Sequence, residues 1–249
     1  MTAALEVRGL TRRFGGLVAV SDVAIDLHPG EVHAVIGTNG AGKSTLINML
    51  SGEIPVSAGQ IKLAGTDVTS WSQHRRARAG IGRSYQRTTI FPELTVHENC
   101  RLAAQSGHQR AWALWEASAQ CERSHGRAAA SLAAAGLSAH ANRLAGTLSH
   151  GAKRQLEVAM CLANQPKVLL LDEPLAGMGS EETRGMLDLL SNLKQAHAVL
   201  LVEHDMDAVF KIADRITVMV NGAVIATGDP ASIRNNNDVQ VAYLGHAGA

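Results

Sequence analysis

Long hydrophobic runs are absent from this sequence of 249 residues, and aromatic side chains make up only 3% of it. A membrane-spanning helix needs about 20 consecutive apolar residues, whereas runs such as Val168–Leu171 cover only a few positions. Glu6 and Arg8 also interrupt the apolar residues near the first methionine, which argues against a signal peptide. We therefore expect a chain that does not enter the bilayer.

Cysteine is scarce as well, and Cys100, Cys121 and Cys161 lie far apart in the sequence. They form neither a C-x-x-C pair nor a spacing typical of zinc ligands. Few and unpaired cysteines are typical of a reducing compartment. The pattern excludes a disulfide scaffold, favours the cytosol and gives the cysteines no catalytic role.

An excess of one charge is also missing, because 23 Lys and Arg oppose 22 Asp and Glu for a net charge of +1. Proteins that bind nucleic acids usually carry a basic excess or stripe. The dense basic cluster of Arg75, Arg76 and Arg78, which follows His74, is interpreted as a solvated helix face. We therefore expect no nucleic-acid partner.

Short apolar segments are what the sequence does contain. Hydrophobic residues make up 46% of the chain, which excludes intrinsic disorder. Continuous Val, Leu and Ile runs favour parallel strands buried on both faces. Their alternation with helical patterns predicts an α/β fold with a mainly parallel core sheet. The predicted strands are Leu5–Leu10, Leu17–Leu27, Val32–Ile36, Ile61–Leu63, Val168–Leu171, Ala198–Val202, Arg215–Val220 and Ala223–Thr227.

The stretch 88–164 differs from the rest because alanine dominates it and strand patterns disappear. Alanine is the strongest helix former, so we predict a helical part here. The α/β core would then comprise 1–87 and 165–249, and the whole chain would form a single domain. Trp112 and Trp115, three residues apart in the helical stretch, are predicted to pack in its core.

The segment 37–44, G-T-N-G-A-G-K-S, matches the phosphate-binding pattern G-x-x-x-x-G-K-[ST] in full. An apolar strand precedes it and a helical pattern follows, as that pattern requires. Glycines let successive backbone N–H groups face phosphate oxygens. Lys43 would reach the β- and γ-phosphates, and Ser44 would bind Mg²⁺. The residues predicted to contact a nucleotide here are Thr38, Asn39, Gly40, Ala41, Gly42, Lys43, Ser44 and Thr45.

Polar side chains follow two further predicted strands. Asp172 and Glu173 come after a buried strand, at the edge where α/β sheets bind ligands. Adjacent acids also occur as a plain strand end, but beside a phosphate loop they indicate catalysis. We predict that Asp172 supports Mg²⁺ and that Glu173 polarises an attacking water. His204, after the next apolar strand, would orient that water, whereas His33 inside a strand would be packed or lie at an edge.

The sequence L-S-H-G at 148–151 lies just before a long helical pattern and shortly before the strand with the two carboxylates. This order resembles the ATP-binding cassette (ABC) family, whose signature usually reads L-S-G-G-Q. Here His150 replaces the second small residue and Ala152 replaces the glutamine, whereas Ser149 and Gly151 are kept. The resemblance covers nearly the whole chain.

This resemblance implies an ABC ATPase fold, with an antiparallel β part and a helical subdomain, that binds ATP and Mg²⁺. Ser149 and Gly151 would contact the γ-phosphate of ATP held by a second cassette, so that two cassettes sandwich two nucleotides. Phe14 would stack on adenine, and Gln86 would bridge Mg²⁺, the attacking water and the transporter. The loop 174–179 reads P-L-A-G-M-G and lacks the Asp of the usual S-A-L-D, which bears on communication across the dimer.

Within the family, the segments 81–86, 91–99 and 203–206 and the tail 241–245 resemble ATPase subunits of branched-chain amino acid importers. The resemblance implies an ATP hydrolase that is peripheral on the cytoplasmic face of the inner membrane. Its partners would be transmembrane permease subunits, a second cassette of identical or different sequence and, indirectly, a periplasmic solute-binding protein.

Three alternatives follow from the same patterns. Urea and short-amide importers are close relatives, and their signature also tends to have His after Leu-Ser. A soluble ABC ATPase acting on ribosomes or DNA usually carries two cassettes or a long coiled-coil insertion, and neither is present here. The third alternative is a P-loop GTPase or a small-molecule kinase. A GTPase would show an N-K-x-D pattern, which this sequence lacks, and neither class explains the L-S-H-G segment at 148–151.

Overall fold

Two β-sheets and a group of helices make up the protein, for which a computed structural model describes residues 2–86, 89–108 and 122–244. The strands are β1 Leu5–Phe14, β2 Leu17–Leu27, β3 Val32–Gly37, β4 Ala58–Leu63, β5 Thr66–Asp67, β6 Ile81–Arg83, β7 Val168–Asp172, β8 Ala198–Val202, β9 Arg215–Val220 and β10 Ala223–Gly228. The helices are α1 Lys43–Ser51, α2 Gln73–Ala79, α3 Val96–His108, α4 Glu122–Ala134, α5 His150–Leu162, α6 Ser180–Leu193, α7 Met206–Ile212, α8 Pro230–Arg234 and α9 Asn237–Leu244.

The core sheet has six strands in the order β10-β9-β3-β8-β7-β6, and all neighbours are parallel except β9 and β10. Every residue of β3, β7 and β8 is buried, as their largely apolar sequences predict. Val202 lies opposite both Val35 and Asp172 in the ladder. The carboxyl ends of β3, β8 and β7 therefore meet at one edge of the sheet.

The second sheet is antiparallel, with the order β2-β1-β4-β5. Its inner face shares a hydrophobic cluster with α1 and with the core sheet, through residues such as Val7, Leu27, Ile47 and Leu170. This arrangement places the hairpin of β1 and β2 beside the start of α1, and it confirms the antiparallel part expected from the resemblance.

Helices α3, α4 and α5 pack against one another and continue a second hydrophobic cluster onto the core sheet. Within residues 89–108 and 122–164 the structure shows helices and one isolated β-bridge, between Thr95 and Leu144. This confirms the helical character predicted for the stretch. Trp112 and Trp115 lie outside the described residues. No helix within the described ranges combines the length and apolar character that crossing a bilayer requires.

Two local features differ from the sequence-based expectations. Strand β6 was not predicted, because three residues with a central Gly82 carry no strand pattern and form one only by pairing with β7. Arg76 is buried rather than solvated, and it donates hydrogen bonds to the carbonyl oxygens of Met49, Leu50 and Thr69 at 2.6, 2.9 and 2.8 Å. It thereby satisfies the last carbonyls of α1, which a solvated face would leave to water.

Candidate nucleotide-binding and hydrolysis site

The loop between β3 and α1 is pressed against the strands around it. Gly42 has φ +96°, a conformation that favours glycine. A Cβ at Gly42 would lie 2.4 Å from the Ala19 carbonyl oxygen, and one at Gly37 would lie 2.3 Å from that of Met219. The loop therefore has this shape only with glycine at both positions. It leads into α1, and the first N–H groups of a helix have no partner within the helix and can bind an anion.

Lys43 occupies the centre of this loop. Its Nζ donates hydrogen bonds to the carbonyl oxygens of Gly37 at 2.7 Å and Thr38 at 3.1 Å. Burial lowers the pKa of Lys43, against the opposing effect of Glu173 and Asp172. Two neutral carbonyl oxygens hold the buried ammonium, and burial outweighs the two carboxylates in its effect on the pKa, so an incoming anion would stabilise this charge.

A cleft of about 450 Å³ opens beside the loop. It brings together predicted residues from the P-loop, Gln86 and Glu173 with residues that the sequence reasoning missed. Its lining comprises Leu17, Val18, Ala19, Asn39, Gly40, Ala41, Gly42, Lys43, Ser44, Thr45, Gln86, Glu173 and Asn221. The volume lies within the range of small-molecule sites.

Phe14 is close in sequence to Leu17, which lines this cleft, but Phe14 itself is not part of the lining. The ring is exposed at the end of β1, with the Arg12 guanidinium 4.5 Å from its centre. The wall beside the loop is formed instead by Leu17, Val18 and Ala19, at the start of β2. The adenine-stacking role of Phe14 therefore stays a prediction.

Glu173 follows β7 in a conformation that is uncommon for a residue with a side chain, with φ +48°. Its N–H donates to the Val202 carbonyl oxygen at 2.9 Å, which ties the turn to β8. Its carboxylate accepts a hydrogen bond from the Gln86 amide nitrogen at 2.9 Å, and His204 Nδ1 lies 3.8 Å from the other oxygen. Three predicted residues from distant parts of the sequence thus meet at one carboxylate.

Asp172 is buried at the end of β7, and its burial raises the pKa of the carboxyl while Arg83 lowers it. Arg83 Nη2 lies 3.8 Å from Asp172 Oδ2. Ser44 is exposed in the first turn of α1 and carries a hydroxyl toward the cleft. The hydroxyl of Ser44, the carboxylate of Asp172 and the amide oxygen of Gln86 are all hard oxygen donors, which fit Mg²⁺.

Glu203 is a residue of this site to which the sequence reasoning gave no role. It is fully buried, and its carboxylate accepts hydrogen bonds from the backbone N–H of Leu175 at 2.8 Å and of His204 at 3.2 Å. Burial raises its pKa. Glu203 therefore joins the turn after Glu173 to the turn that carries His204, although an acid before a histidine gives no such signal in sequence.

Ser149 and Gly151 lie away from the cleft, at the start of α5. The Ser149 hydroxyl and the Gly151 N–H both donate to Glu182 Oε1 at 3.0 Å. These bonds lower the pKa of Glu182, which belongs to the first turn of α6. A carboxylate of the chain itself thus occupies the donors of the signature, and a Cβ at Gly151 would collide with it at 2.6 Å.

His150, the unusual residue of the signature, points toward the loop 174–179. Its Nε2 lies 3.0 Å from the Ala176 carbonyl oxygen, and a Cβ at Gly177 would lie 3.0 Å from the same nitrogen. The substitution therefore connects α5 to the loop that follows Glu173. This contact lies in the same loop that lacks the usual Asp.

A buried ion pair links Gln86 to the signature helix. Arg154 of α5 donates to the carbonyl oxygens of Tyr85 at 3.1 Å and Gln86 at 2.6 Å. It also pairs with Glu157 at 2.9 Å, and Glu157 accepts from the Thr89 N–H at 2.7 Å. The backbone at Tyr85 and Gln86 is therefore bonded directly to α5.

His33 and the cysteines, for which the sequence predicted no role in the site, are structural residues where the structure describes them. His33 bonds Thr217 Oγ1 at 2.8 Å, and burial lowers its pKa to about 4, so it is packed rather than at an exposed edge. Burial raises the pKa values of Cys100 and Cys161 to about 12, which keeps both thiols protonated and unreactive. Cys121 lies outside the described residues.

Comparisons with known proteins agree with this geometry. Residues 20–176 match the family described as ABC transporter, and residues 223–249 match the one described as branched-chain amino acid ATP-binding cassette transporter. The chain is 41% identical to the high-affinity branched-chain amino acid transport ATP-binding protein LivG of Escherichia coli, with 98% of each chain covered. It is 42% identical to BraF of Pseudomonas aeruginosa, again with 98% of each covered.

The fold matches solved structures as well. The ADP conformation of an ATP-binding cassette from an ABC transporter superimposes with a TM-score of 0.85, at 28% identity over 98% of this chain and 100% of the other. The P-loop cleft, the carboxylates at the end of β7, the signature at the start of α5 and the full-length identity to known relatives lead to one assignment. The chain belongs to the ATP-binding cassette family of transporter ATPases.

Proposed function

We propose that this chain is the ATP-hydrolysing subunit of an importer for branched-chain amino acids. The assignment of the solute rests on the 41% identity to LivG over 98% of both chains, together with the C-terminal match at 223–249. The chain would act on the cytoplasmic face of the inner membrane, bound to transmembrane permease subunits that receive solute from a periplasmic binding protein.

The proposed chemistry is attack of water on the γ-phosphate of ATP, with cleavage of its bond to the bridging oxygen. Glu173 accepts a proton from the water. Gln86 donates a hydrogen bond to one oxygen of the Glu173 carboxylate, and His204 lies beside the other oxygen. Lys43 and the loop N–H groups stabilise the phosphate charge. Mg²⁺ bound by Ser44, Asp172 and Gln86 would neutralise phosphate charge.

A two-cassette sandwich is part of this proposal. The P-loop cleft and the signature donors of Ser149 and Gly151 lie at separate places on the chain, so one copy does not bring them to the same nucleotide. A helix start with a hydroxyl and a backbone N–H is an anion site, and here both donors already bind the carboxylate of Glu182. A second cassette, identical or different, would supply the phosphate for it.

The groove between the core sheet and α5 is the proposed docking place for the permease. It has a volume of about 220 Å³ and is lined by residues that include Arg83, Tyr85, Thr89 and Glu157. The Arg154–Glu157 pair borders it and holds the backbone of Gln86. A permease segment in this groove would therefore contact the support of a hydrolysis residue.

The test of the proposed function is co-purification and transport. The tagged chain is expected to purify from membranes with hydrophobic permease chains. Vesicles that contain the complex, with ATP on the cassette side and the solute-binding protein on the other side, should accumulate labelled leucine. Urea uptake instead would support the short-amide alternative. Recovery with ribosomes or DNA, and without permease chains, would contradict the transporter role.

The position of Glu182 at the signature leads to a prediction about ATP binding in the two-cassette sandwich. Because Glu182 holds the donors of Ser149 and Gly151, it must leave before a γ-phosphate binds there, and its charge repels that phosphate. Replacing Glu182 with Gln keeps an oxygen acceptor but removes the charge. The ATP concentration for half-maximal hydrolysis by the intact complex is expected to fall roughly two- to fivefold.

The matched control is Glu181→Gln, which removes the same charge one residue earlier, at an exposed position of α6. Its ATP requirement should equal that of the wild type. An unchanged or higher ATP requirement in Glu182→Gln would contradict displacement of Glu182 by phosphate and would indicate that it only supports the start of α5.

A further inference from the structure

A histidine pair joins two helices on a side of the molecule that the ATPase chemistry does not use. His97 lies in the first turn of α3, and His125 lies in the first turns of α4, 28 residues later. Both are partly exposed, as is the neighbouring Glu98. None of the three lines the P-loop cleft or bonds the signature.

The two imidazoles face each other edge to edge. His97 Nε2 and His125 Nδ1 are 2.8 Å apart, the ring centres are 5.1 Å apart, and the planes differ by 17°. The distance between the ring centres exceeds the distance between the two nitrogens by about two ring radii, so the two centres and the two nitrogens lie almost on one line. That line lies in the plane of each ring, and the rings are therefore nearly coplanar. One of the two nitrogens carries the proton of this hydrogen bond and the other supplies the electron pair that accepts it, so both nitrogens are directed into the same small space.

Glu98 adds a carboxylate to this pair. One ring nitrogen of each histidine and one oxygen of Glu98 all lie within 4.8 Å of one another. Arg101 Nε donates to Glu98 Oε2 at 2.7 Å, which orients the carboxylate from behind. Oriented carboxylates and histidines of this kind are typical of metal sites, where outer partners fix the ligands.

We propose that His97, His125 and Glu98 bind a divalent transition-metal ion of the Zn²⁺ class. Two imidazole nitrogens and one carboxylate, with water in a fourth position, are a known zinc ligand set. With metal–nitrogen bonds of about 2.0–2.1 Å in tetrahedral geometry, the two nitrogens would lie roughly 3.3 Å apart. The two nitrogens point at each other at 2.8 Å without metal, so binding would require the partly exposed rings to move apart and to turn toward the ion.

The proton balance of the exchange is simple. In the neutral pair, the donating histidine carries its proton on the nitrogen that faces its partner. The metal takes the place of that proton, which moves to the other nitrogen of the same ring. Both rings then present an electron pair to the ion and remain neutral, as metal ligands must.

The ion would connect the beginning of α3 with the beginning of α4. The two helices pack side by side, so the ion would join them near their N-terminal ends. Because α3 and α4 pack against α5, a bound ion would stabilise the support of the signature helix without contact with ATP.

Titration of the intact protein with ZnCl₂, without ATP or Mg²⁺, tests this site by calorimetry and by thermal unfolding. The wild type is expected to bind one ion per chain and to unfold at higher temperature with it. His97→Ala and His125→Ala should each weaken this binding more than about tenfold, and Glu98→Gln by about tenfold. Unfolding of the variants without metal, and their binding of ATP, show that they are folded.

Two histidine variants serve as controls. His74→Ala changes an exposed residue of α2, and His204→Ala removes the histidine beside the cleft carboxylates. Both should keep the ion. Zinc binding that survives in His97→Ala and His125→Ala but is lost in His204→Ala would place the ion in the ATP cleft and overturn the proposal, as would an absence of binding to the wild type.

Discussion

Glu173→Gln is expected to bind ATP normally and to lose turnover by about 100- to 10,000-fold, the usual contribution of a general base. The amide keeps the shape of the side chain, and its oxygen still accepts a hydrogen bond from Gln86, which now lies 2.9 Å from the carboxylate. It removes the group that accepts a proton from the attacking water. The backbone at φ +48° is equally suited to Gln, so folding should be unaffected.

Three measurements check this result. Steady-state phosphate release gives turnover, binding of a fluorescent ATP analogue gives affinity, and size-exclusion chromatography with ATP shows whether a closed dimer accumulates. Glu181→Gln, on the exposed surface of α6, is the matched control and should hydrolyse ATP at the wild-type rate. Turnover of Glu173→Gln within about threefold of the wild type would contradict the catalytic role of Glu173, because a general base contributes a much larger factor to the rate.

Lys43→Ala is expected to weaken ATP binding about 10- to 100-fold, since a hydrogen bond to a charged group contributes about 1.5–3 kcal/mol. Lys43 is the buried cation of the loop, where the carbonyl oxygens of Gly37 and Thr38 hold its ammonium. Burial already lowers its pKa, so a phosphate would relieve the cost of keeping this charge. Alanine supplies neither the charge nor the contact.

Calorimetry with ATP and Mg²⁺ measures this affinity directly. Because Lys43 also bonds the loop itself, thermal unfolding without nucleotide must show that the variant is folded. Lys211→Ala, an exposed cation on α7, is the control and should bind ATP like the wild type. An affinity for ATP within about threefold of the wild type would contradict the phosphate-binding role of the loop.

Local sequence patterns were enough to predict much of the fold. The largely apolar sequences of β3, β7 and β8 predict buried parallel strands, and the pattern at 37–44 predicts the loop between β3 and α1. The residues at these strand ends, such as Asp172 and His204, could be proposed because parallel strands end at the same edge of a sheet. Strand β6 could not, since its three residues form a strand only by pairing with β7.

Arg76 and Glu203 show why other features were out of reach. Each is charged and sits in a polar stretch of sequence, yet each is buried by backbone groups that lie far away along the chain. Arg76 caps the carbonyls of α1, 26 and 27 residues earlier, and Glu203 accepts from Leu175, 28 residues earlier. Periodicity within a segment contains no information about partners at such separations.

The sequence by itself determined the kind of protein, because a P-loop pattern, two carboxylates after a strand and a signature before a helix are each short and local. The tertiary structure decided how these parts are connected. It placed Gln86 and His204 on either side of Glu173, tied Gln86 to α5 through Arg154, and set Glu182 in the signature of the same chain. Strand order and helix packing fix those contacts, and they are formed only when distant segments fold together.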